Sequence, residues 1–329
     1  MFKKVIITVA IAITFYLGFN VTSAYAAEDS EPNDSMTTAQ TISIGENVTG
    51  EISYTDYNED EDWFKFKVTE GNVYKITLNP FVDTSGEDFE TTIVSLYKDS
   101  ESADSYTLSN GEYSEKKELL FADYTGYYYI HIWNSTGVSY SFRIDDFSIK
   151  GTKVKDSEAN TYKILSNGSA ELTNWVSKKS KYAYISDEVY FDSVDGMKFA
   201  NWDRYIAKLT SIGDNACKGC SFTFINIPKT VNHIGKGAFQ NCKELGSEEY
   251  MMGLVISGKN VVIDKDAFRG CRSLGTIRVL KGASVKSVSN NAFSGTKKGI
   301  RIEVPKVSTY KKIFNKAGFK SPKYSKAYI

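Results

Sequence analysis

The apolar positions of the C-terminal part return in one frame. Ile212-Gly213-Asp214-Asn215-Ala216-Cys217-Lys218-Gly219-Cys220 is followed by Ile234-Gly235-Lys236-Gly237-Ala238-Phe239-Gln240-Asn241-Cys242. Ile263-Asp264-Lys265-Asp266-Ala267-Phe268-Arg269-Gly270-Cys271 and Val288-Ser289-Asn290-Asn291-Ala292-Phe293-Ser294-Gly295-Thr296 complete the series. The lead residues stand 22, 29 and 25 positions apart. One apolar signature per twenty-odd residues predicts a solenoid, in which each unit buries its apolar face only against its neighbours. A short β-type run precedes each of the last three lead residues, Ile225–Ile227, Leu254–Ile256 and Ile277–Val279, and a fourth, Ile302–Val304, follows the last lead. Alternation turns the outer pair of each run inward and the middle residue outward. Asn226, Val255, Arg278 and Glu303 are therefore expected to form one exposed column, a candidate ligand face, on a stacked parallel sheet.

The full pattern, I-x-I-P…V-x-x-I-G-x-x-A-F-x-x-C-x-x-L, resembles the BspA-type leucine-rich repeat of bacterial surface proteins from about Leu209 to Gly318. Cys242-Lys243-Glu244-Leu245 and Cys271-Arg272-Ser273-Leu274 carry its tail, and Cys217 departs from it by standing where Phe is usual. The resemblance implies a protein-binding surface, with attachment to host proteins such as fibronectin.

Residues 27–149 alternate with period two in short runs: Val48–Ser53, Trp63–Val68, Val73–Leu78, Ile93–Tyr97, Glu118–Phe121, Tyr127–Trp133 and Tyr140–Ile144. Turn residues such as Glu70-Gly71-Asn72 and Thr125-Gly126 separate them, and this spacing predicts an antiparallel sandwich. The fold class is thus mainly β: an N-terminal antiparallel β-sandwich, then a leucine-rich-repeat solenoid with a short C-terminal helix over Val307–Ala317.

Two acidic clusters mark the sandwich. Asp29, Glu31, Asn33 and Asp34 lie within six residues, and Asp56, Glu59, Asp60, Glu61 and Asp62 form the second. Calcium takes six to eight hard oxygens of this kind, and a dication relieves the repulsion of crowded carboxylates. Glu31-Pro32-Asn33-Asp34, Asp60-Glu61-Asp62-Trp63-Phe64 and Gly126-Tyr127-Tyr128-Tyr129-Ile130-His131-Ile132 resemble the bacterial pre-peptidase C-terminal domain, which includes the collagen-binding domains of clostridial collagenases. That resemblance implies calcium held by Glu31, Asn33, Asp34, Asp60 and Asp62, with Asp29 as a sixth candidate. A solvated acidic face with an Asx-turn at Asn33-Asp34 is the competing reading. On the strand Tyr127–Trp133, alternation places Tyr127, Tyr129, His131 and Trp133 outward as an aromatic candidate ligand row, unless loops or the second domain cover it.

Lys3 and Lys4, the apolar run Val5 to Phe19 and the small-x-small site Ala24-Tyr25-Ala26 predict a secretion signal over residues 1–26. No cysteine follows the run and no apolar tail or wall-sorting motif ends the chain, so a released or non-covalently held extracellular protein without a transmembrane anchor is expected. The overall charge is zero, but residues 27–149 carry 25 acidic and 7 basic side chains, and residues 150–329 carry 15 and 31. Halves this unlike predict two domains with different partners, joined by a linker over 150–160. The expected partners are an extracellular protein or matrix ligand and, for the spread lysines, a cell-wall polymer or glycan. The compartment speaks against nucleic acid.

Residues 161–176 predict a capping hairpin, and 181–205 one or two degenerate repeats within a solenoid domain of 161–329. The four cysteines, three in one repeat phase, suit a ladder of buried thiols, although neighbouring rungs also permit disulfides. Cys217-x-x-Cys220 is only half of a zinc pattern. With two histidines and no H-E-x-x-H, G-x-S-x-G or P-loop, the chain is expected not to be an enzyme. Three functions stand side by side: a surface adhesion protein, a scaffold whose acidic and basic domains dock on each other, and a hydrolase with an unrecognised carboxylate pair.

Overall fold

The computed structural model describes residues 26–53, 60–84, 92–98, 106–110, 114–134, 137–166, 168–182, 184–200, 205–247 and 253–327. The expected leader up to residue 25, Asp56 and Glu59 of the second acidic cluster, and the Met251-Met252 insertion lie outside these residues.

The first part is a sandwich of two sheets. One runs in the order Ala27–Glu28, Asn47–Ile52, Val138–Asp146, Val73–Leu78, Lys116–Phe121; the other Gln40–Thr41, Glu61–Val68, Gly126–Trp133, Ile93–Lys98, Tyr106–Asn110. All of these pairings are antiparallel except the two made by the short N-terminal strands, which add in parallel to Asn47–Ile52 and Glu61–Val68. Alternation decides the core: Phe64, Phe66, Ile130, Ile132, Phe142 and Ile144 are buried between the sheets.

The repeats form a coil with two parallel faces. Ile225–Ile227, Leu254–Ile256, Thr276–Val279, Arg301–Val304 and Lys323–Lys326 stack in register. His233–Ile234, Val261–Ile263 and Val285–Val288 extend a second sheet from Tyr205–Ile212. Between the faces the Ala-Phe segments line up rung over rung. Cys217 N donates to Ala238 O at 2.8 Å, Phe239 N to Ala267 O at 2.7 Å, Phe268 N to Ala292 O at 2.7 Å and Phe293 N to Ala317 O at 2.8 Å. The residue before each Ala (Asn215, Gly237, Asp266, Asn291) has φ between 57° and 62°, as does Asn241 four residues further on, where Gly219, Gly270 and Gly295 stand in the other units. Only Gly, Asn and Asp adopt the left-handed region at low cost, which is why the repeat alternates among those three.

The helix spans Val307–Ile313 and stops short of the expected Ala317. The cause is the ladder itself. The carbonyls of Lys316 and Ala317 accept from Asn291 N and Phe293 N, so this stretch follows the path of a rung instead of continuing the helix. Residues 181–205 also depart from expectation. Glu188–Phe191 pairs antiparallel with Tyr205–Ile212, and Ser193–Val194 turns back on Met197–Lys198; among the described residues there, parallel pairing is limited to isolated bridges of Tyr182 with Phe224 and of Phe199 with Leu119. Asp195-Gly196, with φ of 50° and 81°, supplies the two left-handed residues of a tight hairpin turn, a local signal that outranks the weak repeat pattern.

Among the described residues the halves share an apolar seam. Val73, Leu119 and Ile149 belong to the same buried cluster as the repeats. Phe121 packs edge-on against Tyr205 at 4.7 Å, and Ala200 N donates to Leu119 O at 2.6 Å.

Candidate metal centre and ligand faces

Strand Glu61–Val68 turns Asp62, Phe64, Phe66 and Val68 inward, so a carboxylate occupies a position that alternation reserves for an apolar side chain. Asp62 is fully buried. Its Oδ2 accepts from Tyr140 Oη at 2.6 Å, while Oδ1 has no partner. The segment from Asp29 to Asp34 is pinned over it at both ends: Asp29 N donates to Thr49 O at 3.0 Å, and Trp63 N to Asn33 O at 3.1 Å. Asn33 is buried as well. Its Nδ2 donates to Asp29 Oδ1 at 2.7 Å, and its Oδ1 is left without a donor.

Two carboxylate triads result. Asp29, Glu31 and Asp62 bring oxygens within 4.8 Å of one another, as do Glu31, Asp34 and Asp60, with Glu31 common to both. The structure thus gathers all six residues that the sequence nominates. Burial raises the Glu31 and Asp60 carboxyls, with neighbouring carboxylates adding to the effect. Burial pushes Asp62 up to about 8, opposed by the Tyr140 hydroxyl and reinforced by Asp29. A buried acceptor that lacks a donor is costly, and here two such oxygens face a surplus of negative charge. A hard dication matches this donor set of carboxylates and one amide oxygen, so the residues present fit calcium.

Tyr140 and Gly50 belong to the same site and were not legible beforehand. Tyr140 lies on an alternating strand where it reads as ordinary core. A Cβ at Gly50 would stand 2.1 Å from Tyr140 Oη and 3.0 Å from Asp29 Cβ, so only glycine admits that hydroxyl to Asp62. Gly50→Ala is expected to displace Tyr140 and destabilise the chain by about 1–3 kcal/mol, as an overpacked core does. Urea titration checks this.

The aromatic row is partly covered. Tyr127 is exposed, whereas Tyr129, His131 and Trp133 are half-buried. His131 stacks on Trp63 at 4.2 Å, with Nε2 3.0 Å from Glu61 Oε2, and burial lowers its affinity for a proton. Met36 and Ala39, which follow directly on the Asp29–Asp34 segment, close over Trp63, Tyr97 and Tyr129.

On the repeat sheet Asn226, Val255, Arg278 and Glu303 do fall in one column by register. Val255, however, is only 7 % exposed and is not part of an open face, so the column is interrupted at its second rung. Asn226 accepts from Ser257 Oγ at 2.7 Å, and Arg278 pairs with Glu303 at 2.5 Å. The other face holds a polar chain that sequence reading missed. Ser211 Oγ lies 2.9 Å from Glu171 Oε2 and 3.1 Å from His233 Nδ1, and His233 Nε2 lies 3.0 Å from Asp264 Oδ2. These residues come from four successive strands or turns, and only stacking brings them together.

The four cysteines are free and buried. Cys242 and Cys271 donate to the carbonyls of Cys217 and Phe239 at 3.1 and 3.2 Å, each thiol bonding back to the preceding rung.

Comparison with known proteins agrees with the repeat architecture. The model of the BspA type leucine rich repeat region matches in six copies over residues 210–249 and 247–326. No curated protein matches. A leucine-rich repeat protein from Bacteroides capillosus ATCC 29799 is similar at 23 % identity over 46 % of this chain and 99 % of its own, with a TM-score of 0.36. The pre-peptidase C-terminal domain of collagenase from Bacillus anthracis is similar at 15 % identity over 36 % of this chain and all of its own, with a TM-score of 0.25. Salmonella Typhimurium PliG, a periplasmic inhibitor of g-type lysozyme, is similar at 16 % identity over 32 % of this chain and all of its own, with a TM-score of 0.22. The in-register sheet and the stacked Ala-Phe turns lie within the residues that match the BspA type leucine rich repeat region.

Proposed function

We propose that this chain is a secreted bacterial surface protein that binds extracellular protein or matrix ligands, with a sandwich organised by calcium and a repeat coil that presents a binding surface. The observation that carries the calcium part is the pair of orphan buried oxygens, Asn33 Oδ1 and Asp62 Oδ1, set among Asp29, Glu31, Asp34 and Asp60. Bound there, the cation would neutralise the cluster and tie the Asp29–Asp34 segment to the sheet. The same segment runs on into Met36 and Ala39 over the aromatic row, so the metal would also order that covering. The repeat family supports the adhesive part, and the apolar leader supports export. Among the described residues no helix is long and apolar enough to cross a membrane.

Calorimetric titration with calcium tests the metal site. Saturable binding is expected, and Asp60→Asn is expected to weaken it about tenfold, roughly 1.4 kcal/mol. A flat trace at millimolar calcium would remove the site. Retention on immobilised collagen, fibronectin and isolated cell wall, with and without chelator, tests the adhesive reading, which fails if none of the three holds the chain.

A further inference from the structure

The basic half of the chain conceals an acidic groove. Between the turn after Lys153–Lys155 and the strand Glu188–Phe191 lies a cleft with a volume of about 740 Å³. Asp156, Glu158, Glu188, Asp192 and Asp195 line it, five of the fifteen acidic residues of 150–329, against only Lys153 and Lys155 of the thirty-one basic ones. Composition does not produce such a gathering, since the surrounding half carries twice as many cations as anions.

Its walls are aromatic. Tyr184 is 87 % exposed and Tyr190 is 45 % exposed, and both line the cleft. Of the seven large hydrophobic side chains that stand exposed among the described residues, five (Val176, Tyr182, Tyr184, Tyr190, Ile206) fall in this short cap region. Exposed apolar surface concentrated in one place marks an interaction site. Trp175 also lines the cleft. It is 96 % buried by its 4 % exposure, yet its indole N–H has no hydrogen-bond partner. A buried tryptophan normally finds one, so this is a donor left over for an acceptor.

The cleft is built rather than accidental. Asp156 Oδ1 accepts from the backbone N–H groups of Glu158 and Asn160 at 2.9 Å each. Its Oδ2 accepts from Tyr162 Oη at 2.8 Å and Asn160 Nδ2 at 3.1 Å. Asp156 is therefore consumed in shaping the turn. Glu158 and Asp195 are exposed at the rim without an ion pair, and Glu188 is tied only to Tyr190 Oη at 2.9 Å.

We propose that this cap groove binds a peptide segment carrying Lys or Arg. The alkyl stem and charge of such a side chain lie along the tyrosine faces, with the ammonium or guanidinium facing Glu158, Asp195 and Glu188. Trp175, whose indole lines the cleft, lies beneath the same segment. A neutral glycan would use the tyrosines but leaves the concentration of carboxylates without a purpose. The proposal shares with the reading above only the premise that the chain binds proteins, and it makes no use of calcium.

The test applies the full chain, with chelator present, to an array of decapeptides matched in length and either basic, acidic or neutral, beside an array of neutral oligosaccharides. The strongest basic decapeptide is then titrated in solution by fluorescence anisotropy. Basic peptides are expected to be held about tenfold or more over acidic ones, a difference of about 1.4 kcal/mol. Tyr184→Ala, which removes an exposed ring and leaves the core intact, is expected to lower the affinity about fivefold or more. Glu158→Gln is expected to lower it and flatten its salt dependence. Asp60→Asn in the acidic sandwich is expected to change nothing, which separates this groove from the metal site and from general attraction to the sandwich. Unchanged affinity in Tyr184→Ala, or retention of oligosaccharides and not of basic peptides, overturns the proposal.

Discussion

Replacing Phe268 by alanine costs about 3–5 kcal/mol, the range for deleting a large buried aromatic side chain. Phe268 is fully buried and lies between Phe239 at 5.0 Å and Phe293 at 4.9 Å, with rings inclined by only 10° and 4°. Alanine forfeits both stacked contacts and opens a void in the middle of a column. Neighbours on either side are held by backbone bonds from rung to rung, so the void has little room to collapse. In a coil each unit is stabilised only by the next, so a gap in the centre weakens both flanks at once. Phe268→Leu keeps most of the volume and is expected to cost about 1–1.5 kcal/mol. Lys265→Ala, on the surface of the same turn, is expected to stay within about 0.5 kcal/mol of wild type. Urea unfolding followed by circular dichroism checks the series. A loss below that of Phe268→Leu would mean that the aromatic column does not hold the coil together.

The second large effect is an exchange of proton for metal at Asp62. Without metal, the folded chain keeps this carboxyl protonated up to about pH 8, while the unfolded chain releases the proton near the ordinary value of 3.8. Between those two values the folded state binds the extra proton, so stability of the metal-free chain falls as pH rises from about 4 to about 8 and levels off above that. A dication needs the ionised form, so calcium must displace the proton within this window. Calcium affinity is therefore expected to climb with pH, up to about tenfold per unit for one proton displaced, and to flatten above about pH 8. At a hundredfold excess over Kd the metal stabilises by about 2.7 kcal/mol. Melting temperature measured against pH, with calcium and with chelator, shows both trends. Parallel curves in the two conditions would mean that Asp62 is a buried acid and no ligand.

Much of the carboxylate cluster was legible in the local order of residues. Asp29, Glu31, Asn33 and Asp34 are close in the chain, and Asp60 and Asp62 follow an acidic run, so their chemistry was visible before their geometry. What could not be read was that Asp62 faces the core and that Tyr140, seventy-eight residues away, donates a hydrogen bond to its carboxylate. The same holds for Gly50, whose missing side chain matters only because Tyr140 passes over it.

The aromatic row shows the opposite case. Alternation along Gly126–Trp133 correctly separates the buried Tyr128, Ile130 and Ile132 from their neighbours. It says nothing of Met36 and Ala39, which arrive from another part of the chain to cover Tyr129 and Trp63. Val255 was placed outward by the same period-two rule, which holds for the register of the strand but not for what lies over it.

From the order of residues alone came the repeat, its parallel register and the plug at each turn. All of these follow from short-range periodicity: an Ile or Val lead, a short β-type run and an Ala-Phe pair. Tertiary packing alone decided three things: the aromatic seam of Leu119, Phe121 and Tyr205, the chain from Glu171 through Ser211 and His233 to Asp264, and the acidic groove at the cap. The seam and the groove join residues that share no period. Ser211 and His233 share a repeat phase, just before Ile212 and Ile234, but Glu171 and Asp264 on either side of them do not, and side chains of that kind acquire a common environment only once the backbone has brought them into contact.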